Sequence, residues 1–271
     1  MQVDTTPSTR RTGRRLVGAL GSAALLAMTG CAPAPHPVAS APVGLARAAS
    51  TSPEPSTTVE VVPSSSPSPP VTYPRSGSGR WRTASREARV AGDRGPLRRY
   101  RVAVERGITG VRIEDFADRV TKTLADGRGW TVTGEVRLQR VGPQDPYDFT
   151  IYLATPGTRD ELCGDAAAGE VDEYTSCRNG PSVVLNVARW VHGVPGYGAS
   201  LGTYRSYMIN HETGHALGHH HELCPGPGRK APVMEQQTLG LHGCVANGWP
   251  VVRGKLLSGA PGQYNDPVPA P

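Results

Sequence analysis

Apolar residues recur along this chain with two different periods. Between Arg112 and Asp126, the residues Ile113, Phe116, Ala117, Val120 and Leu124 fall three or four apart, which predicts an amphipathic helix. Thr203 to Leu217 predicts a second helix, stopped by Gly218. Arg98–Val104 alternates toward a strand, and Val136–Val141, Asp148–Ala154 and Ser182–Trp190 are strand-like, each bounded by Gly, Pro or Asp. After Pro225-Gly226-Pro227-Gly228 regular patterning is lost. Strand, helix, strands, helix and irregular tail, in that order, predict an α+β domain with a sheet packed on two helices. Its expected limits are residues 77–258, with 259–271 as a flexible tail.

The first thirty residues carry a different pattern. Arg10, Arg11, Arg14 and Arg15 precede an apolar run from Leu16 to Met28, and Thr29-Gly30 then lead into Cys31. A basic head, a short apolar core and small residues describe an export signal over 1–30, too short to span a bilayer comfortably. Met28-Thr29-Gly30-Cys31 resembles a bacterial lipobox, which would make Cys31 the lipidated N-terminus of a protein anchored to the extracytoplasmic face of the membrane. An ordinary secretory signal is the alternative. Residues 31–76 are rich in Pro, Ser, Thr and Ala and read as a disordered tether, with a reach of about 35–40 Å if it behaves as a flexible coil.

Charge and cysteines narrow the setting. The formal charge is +6, but four arginines against Asp4 place half of it in the first thirty residues. Arg75 to Arg101 holds nine arginines against Glu87 and Asp93. This basic stretch reads as a solvated or internally paired surface; it carries no nucleic-acid recognition motif. With Cys31 set aside, Cys163, Cys177, Cys224 and Cys244 form an even set, which in an exported chain favours two disulfides. Three pairings exist; Cys163–Cys177 with Cys224–Cys244 is preferred because each closes a short loop rich in Gly or Pro.

The chemistry is concentrated in His211-Glu212-Thr213-Gly214-His215-Ala216-Leu217-Gly218-His219-His220-His221. Residues four apart on a helix share a face, so His211 and His215 can bind one Zn2+ ion, with Glu212 beside them as the base. A catalytic zinc needs a third protein ligand and an open position. Gly218 lets the chain leave the helix through a left-handed turn, after which His221 can swing back. In a chain of this composition the H-E-x-x-H pattern arises by chance about once in a hundred cases, and the pattern extended through Gly218 and His221 about four times in 100,000. The longer pattern is therefore the informative one. His219 and His220 read as neighbours of the site, and are the nearest substitutes should His221 not ligate.

The same residues carry a resemblance. H-E-x-x-H-x-x-G-x-x-H is the zinc signature of the metzincin metallopeptidases, whose fold has a methionine in a tight turn beneath the metal; Met234, in Ala231-Pro232-Val233-Met234, matches that Met-turn. From about Gly77 to Trp249 the chain is also similar to an uncharacterised family of exported actinobacterial proteins with a metzincin-like domain. The residues that carry this likeness include Ser176–Gly180, Val183–Asn186, Cys224–Gly228 and Gln236–His242. The resemblance implies a zincin-like α+β domain with a twisted mixed sheet, two main helices and a small irregular C-terminal subdomain. It also implies an extended peptide substrate lying along an edge strand, for which Ser182–Trp190 is a candidate. Gln236 stands where astacin-like and serralysin-like enzymes place a tyrosine ligand, which puts such a ligand in doubt here. Glu222 follows the third histidine as in astacins.

The expected function is zinc-dependent hydrolysis of peptide bonds, with Glu212 as general base and a peptide or protein as substrate. A zinc-binding envelope module without catalysis and a zinc amidase acting on cell-wall peptide crosslinks are the alternatives. The intact Glu212 argues against the first, since a structural zinc site needs no base.

Overall fold

The computed structural model describes residues 69–165 and 171–268. The export signal, Cys31 and most of the tether lie outside them. Among the described residues no helix is long and apolar enough to cross a membrane.

The domain is α+β, built on a six-stranded mixed sheet. Its strands are β1 (Trp81–Thr83), β2 (Leu97–Glu105), β3 (Arg137–Arg140), β4 (Phe149–Ala154), β5 (Cys177–Asn179) and β6 (Ser182–Asn186). The spatial order is β1-β2-β4-β6-β5, with β3 also pairing β2. β2, β4 and β6 run parallel, in a register that aligns Val102, Ile151 and Val183, and two residues on Val104, Leu153 and Leu185. All six side chains are buried in one core, as the two-residue period of a strand requires. Two helices cover this face and pack on each other, α1 (Ile113–Leu124) against β2 and α4 (Leu201–Ala216) against β6. α1 is amphipathic, burying Phe116, Ala117, Val120 and Leu124, with Glu114 and Asp115 in the first turn, where the helix dipole favours acids. α4 is different. Ten of its residues, from Tyr204 through Gly214, are buried with no clear polar face, as expected of a helix surrounded by protein.

Several expectations need correction. Ser182–Trp190 is not one strand: β6 ends at Asn186 and α3 (Val187–His192) follows at once. The Asn186 side chain caps α3 by accepting from the Ala188 amide at 3.0 Å, a signal hidden in an apolar run. Nor is β6 an edge, since β5 pairs with its outer side and is itself the last strand. The helix α2 (Pro156–Cys163) escaped the pattern because its buried face is polar, with Thr158, Arg159 and Asp160 all inside. The domain begins within the expected tether. Val71 and Tyr73 pack against the core, and the Arg75 carbonyl accepts from Gly157. Isolated apolar residues among prolines show no period, so composition concealed them.

The C-terminal part holds a hairpin of β7 (Val251–Val252) and β8 (Lys255–Leu256). Residues 259–268 are not a loose tail. The Leu223 amide donates to the Ala260 carbonyl at 2.8 Å, and that of Gly262 to the His221 carbonyl at 3.1 Å. Disulfides join Cys163 to Cys177 and Cys224 to Cys244. The first ties β5 to α2; the second closes the loop that follows His221.

One buried carboxylate fixes α2 to the sheet. Glu105, fully buried at the end of β2, accepts from Gly79 N (2.9 Å), Thr155 N (2.9 Å), Thr155 Oγ1 (2.9 Å) and Thr158 Oγ1 (2.7 Å). Removing it takes the acceptor from the buried donors of Thr155 and Thr158, which lie away from water. Glu105→Ala is expected to cost about 3–5 kcal/mol in guanidinium unfolding; a loss below 1 kcal/mol would show that the network is not what holds α2.

Candidate metal centre

Ser200 starts α4 by accepting from the Thr203 amide at 3.1 Å. The helix ends in a Schellman turn. Gly218 sits at φ +98°, its amide donates to His215 O (3.1 Å), and the His219 amide donates to Gly214 O (3.0 Å). No neighbour lies where a Gly218 Cβ would be, so the need for glycine is conformational. The turn sends the chain back over the helix and brings His221 to the two helical histidines.

His211, His215 and His221 each offer a ring nitrogen, all within 4.8 Å of one another. Their opposite ring nitrogens are already committed. His211 Nδ1 meets Val233 O at 2.8 Å, His215 Nδ1 meets His219 O at 2.9 Å, and His221 Nδ1 meets Gln263 Oε1 at 2.9 Å. All three acceptors are carbonyl oxygens, so each Nδ1 carries a hydrogen and each ring, when neutral, presents its lone pair at Nε2. Burial opposes adding a proton: it holds the His211 pKa well below the ordinary range and pushes that of His215 down to about 4. Yet His215 Nε2 and His221 Nε2 approach to 3.1 Å. When both rings are neutral, the two lone pairs face each other and repel unless a cation lies between them. The donor set of three imidazoles suits zinc.

Glu212 is 6% exposed, and burial pushes its carboxyl up to about 8, with the Arg159 guanidinium acting in the opposite sense. It borders a cleft of about 550 Å³ together with the three histidines, Arg178 of β5, and Gln236. Arg159 itself ties together Asp160, Asp165 and Asp172. Asn186 holds the adjoining loop, its Nδ2 donating to Asp172 O at 3.0 Å.

Met234 lies in a tight turn closed by the Glu235 amide donating to Pro232 O at 3.1 Å. This is the turn whose Val233 carbonyl orients His211. Met234 is fully buried and packs on α4 at Gly214, where an added Cβ would lie 2.5 Å from its Sδ and 2.9 Å from Trp130 Cζ2. The turn rests on buried amides: Gln237 Nε2 donates to Pro232 O (3.0 Å) and Asn247 O (2.8 Å), while Asn247 Nδ2 donates to Ala231 O (2.9 Å).

The other sequence candidates fall beside the cluster. His219 stacks on Trp130, with ring centroids 4.1 Å apart, and contributes only its carbonyl; His220 is exposed. Glu222 accepts from Gly259 N at 3.1 Å. Cys224, Cys244 and Glu235 also bring ligand-type atoms together, but the two sulfurs are spent on their disulfide. Arg159, Gly214 and Gln263 were missed. Gly214 could have been suspected, because a glycine in the middle of a helix costs stability that close packing must explain. Arg159 and Gln263 carried no signal.

A family model described as a protein of unknown function (DUF3152) matches residues 68–247. No curated protein and no solved structure matches the chain.

Two outcomes follow for purified protein. His221→Ala is expected to lose high-affinity zinc uptake while His219→Ala and His220→Ala keep it, as read by metal content after dialysis. The reverse pattern would mean another third ligand. Gly214→Ala, which must displace Met234 or Trp130, is expected to lower stability by about 1–3 kcal/mol; an unchanged unfolding midpoint would contradict the packing described.

Proposed function

The chain belongs to the DUF3152 family of proteins of unknown function, and we propose that it is an exported zinc-dependent peptidase. One observation carries the reading: three Nε2 atoms converge, with every Nδ1 committed elsewhere, beside a buried carboxylate on an open cleft. His211, His215 and His221 would hold the zinc. A zinc ion there supplies a Lewis acid that polarises a carbonyl and lowers the pKa of water toward about 7.

The remaining work falls to the chain. Glu212 takes a proton from the attacking water and returns it to the departing amine, either carboxylate oxygen serving. Arg159, ion-paired with three aspartates, keeps a positive charge near Glu212 and favours its ionised form. β5 borders the cleft through Cys177 and Arg178, and its outer edge can pair with an extended substrate by strand addition. That edge replaces Ser182–Trp190 in this role. The β5 disulfide to α2 keeps it in place.

Export is supported by two disulfides, which persist in oxidising surroundings. Attachment to the membrane through a lipid on Cys31 belongs to the same proposal.

The test is cleavage of a proteome-derived peptide library by the native protein, by Glu212→Ala and by chelated protein. Native protein is expected to cleave. Glu212→Ala is expected to keep its zinc and lose about 10²–10⁴ in rate. A zinc-loaded Glu212→Ala that cleaves like the native protein would overturn the assignment. Zinc uptake with no turnover across the library would instead favour a non-catalytic binding module.

A further inference from the structure

Two of the three histidines are oriented by the chain around them. The His215 partner, His219 O, lies in the turn that ends α4, and the His211 partner, Val233 O, lies in the Met234 turn. The His221 partner is of another kind. It is the side chain of Gln263, 42 residues further on, in the segment that sequence patterning assigns to a flexible tail.

That segment is a strap laid along the chain just after the metal-site turn. Gly259 N donates to Glu222 Oε2 (3.1 Å), Leu223 N to Ala260 O (2.8 Å) and Gly262 N to His221 O (3.1 Å). Glu222 and Pro261 form an antiparallel bridge. Beyond Gln263, Tyr264 Oη accepts from Cys224 N at 3.2 Å, and its ring stacks on His242 with centroids 3.3 Å apart. His242 Nε2 then meets Asp266 Oδ2 at 3.0 Å. Contacts on both sides of Gln263 thus fix the backbone from which its side chain reaches His221. Gln263 itself is exposed, so fold stability gives it little reason to be there.

We propose that Gln263 is a positioning residue for the third metal ligand: accepting from His221 Nδ1–H, it fixes that ring's tautomer and angle and so sets how tightly the site holds zinc. This rests on the zinc reading given above. A ligand imidazole without its hydrogen-bonded partner swings more freely and is a weaker base, and such partners are worth about 10–100-fold in metal affinity.

The experiment measures zinc affinity of the full chain by competition with a chromophoric chelator, for native protein, Gln263→Leu and Gln263→Glu. It is accompanied by the visible spectrum of the cobalt-substituted forms and by thermal unfolding without metal. Gln263→Leu is expected to bind zinc about 10–100-fold more weakly and to alter the cobalt bands, with its metal-free melting unchanged because the side chain is exposed. Gln263→Glu, which keeps an acceptor, is expected to bind at least as tightly as native protein. Equal affinity in native protein and Gln263→Leu would overturn the proposal while leaving the metal site standing. Equal losses in Leu and Glu variants would overturn it too, since acceptor chemistry would then not be the cause. A native protein that takes up no zinc would overturn both the proposal and the reading beneath it.

Discussion

The site depends on the chain reversing at Gly218. A helix can bring only His211 and His215 onto one face, and two imidazoles do not make a catalytic centre. Here the third comes from outside the helix, only six residues after His215, which requires an abrupt exit. The left-handed Gly218 supplies it, and the two hydrogen bonds of the Schellman turn fix its direction. The same turn aims the His219 carbonyl at His215 Nδ1, so one reversal both delivers the third imidazole and orients the second.

The surrounding structure is a set of polar constraints that keep three imidazole nitrogens together. The Met234 turn supplies the carbonyl for His211, and buried Gln237 and Asn247 saturate its backbone groups. Gly214 lets that turn press directly on α4. The C-terminal strap supplies the partner for His221. The network is high-stakes, since each buried polar group satisfied is rigid and each one left unsatisfied is costly. Glu105 and Asn186 perform the same service for α2 and for the loop that carries Asp172. The sheet places these pieces; the hydrogen bonds set their angles.

What the sequence disclosed follows the same division. β2 and α1 were visible because burial imposes a period, as in Val102 and Val104 or Phe116 and Val120, whereas α4, buried on all sides, was marked by its stop at Gly218. The histidine cluster was visible because helix geometry and one glycine fix the spacing of its members. The disulfide pairing followed from short loops. β5 stayed hidden because three largely exposed residues carry no pattern, and α2 because its inner face is polar. Gln263 lay beyond any local rule: its contact to His221 spans 42 residues and exists only once Tyr264, Ala260 and Gly262 have docked.

On the proposed reading three imidazoles, and no other side chains, form a zinc site with a position left open. X-ray absorption at the zinc edge, on protein carrying one equivalent of the metal, tests this most directly. Three histidine nitrogens at about 2.0–2.1 Å, one oxygen, and no scattering from sulfur are expected. A fourth imidazole, which would implicate His219 or His220, or a sulfur at about 2.3 Å would contradict it.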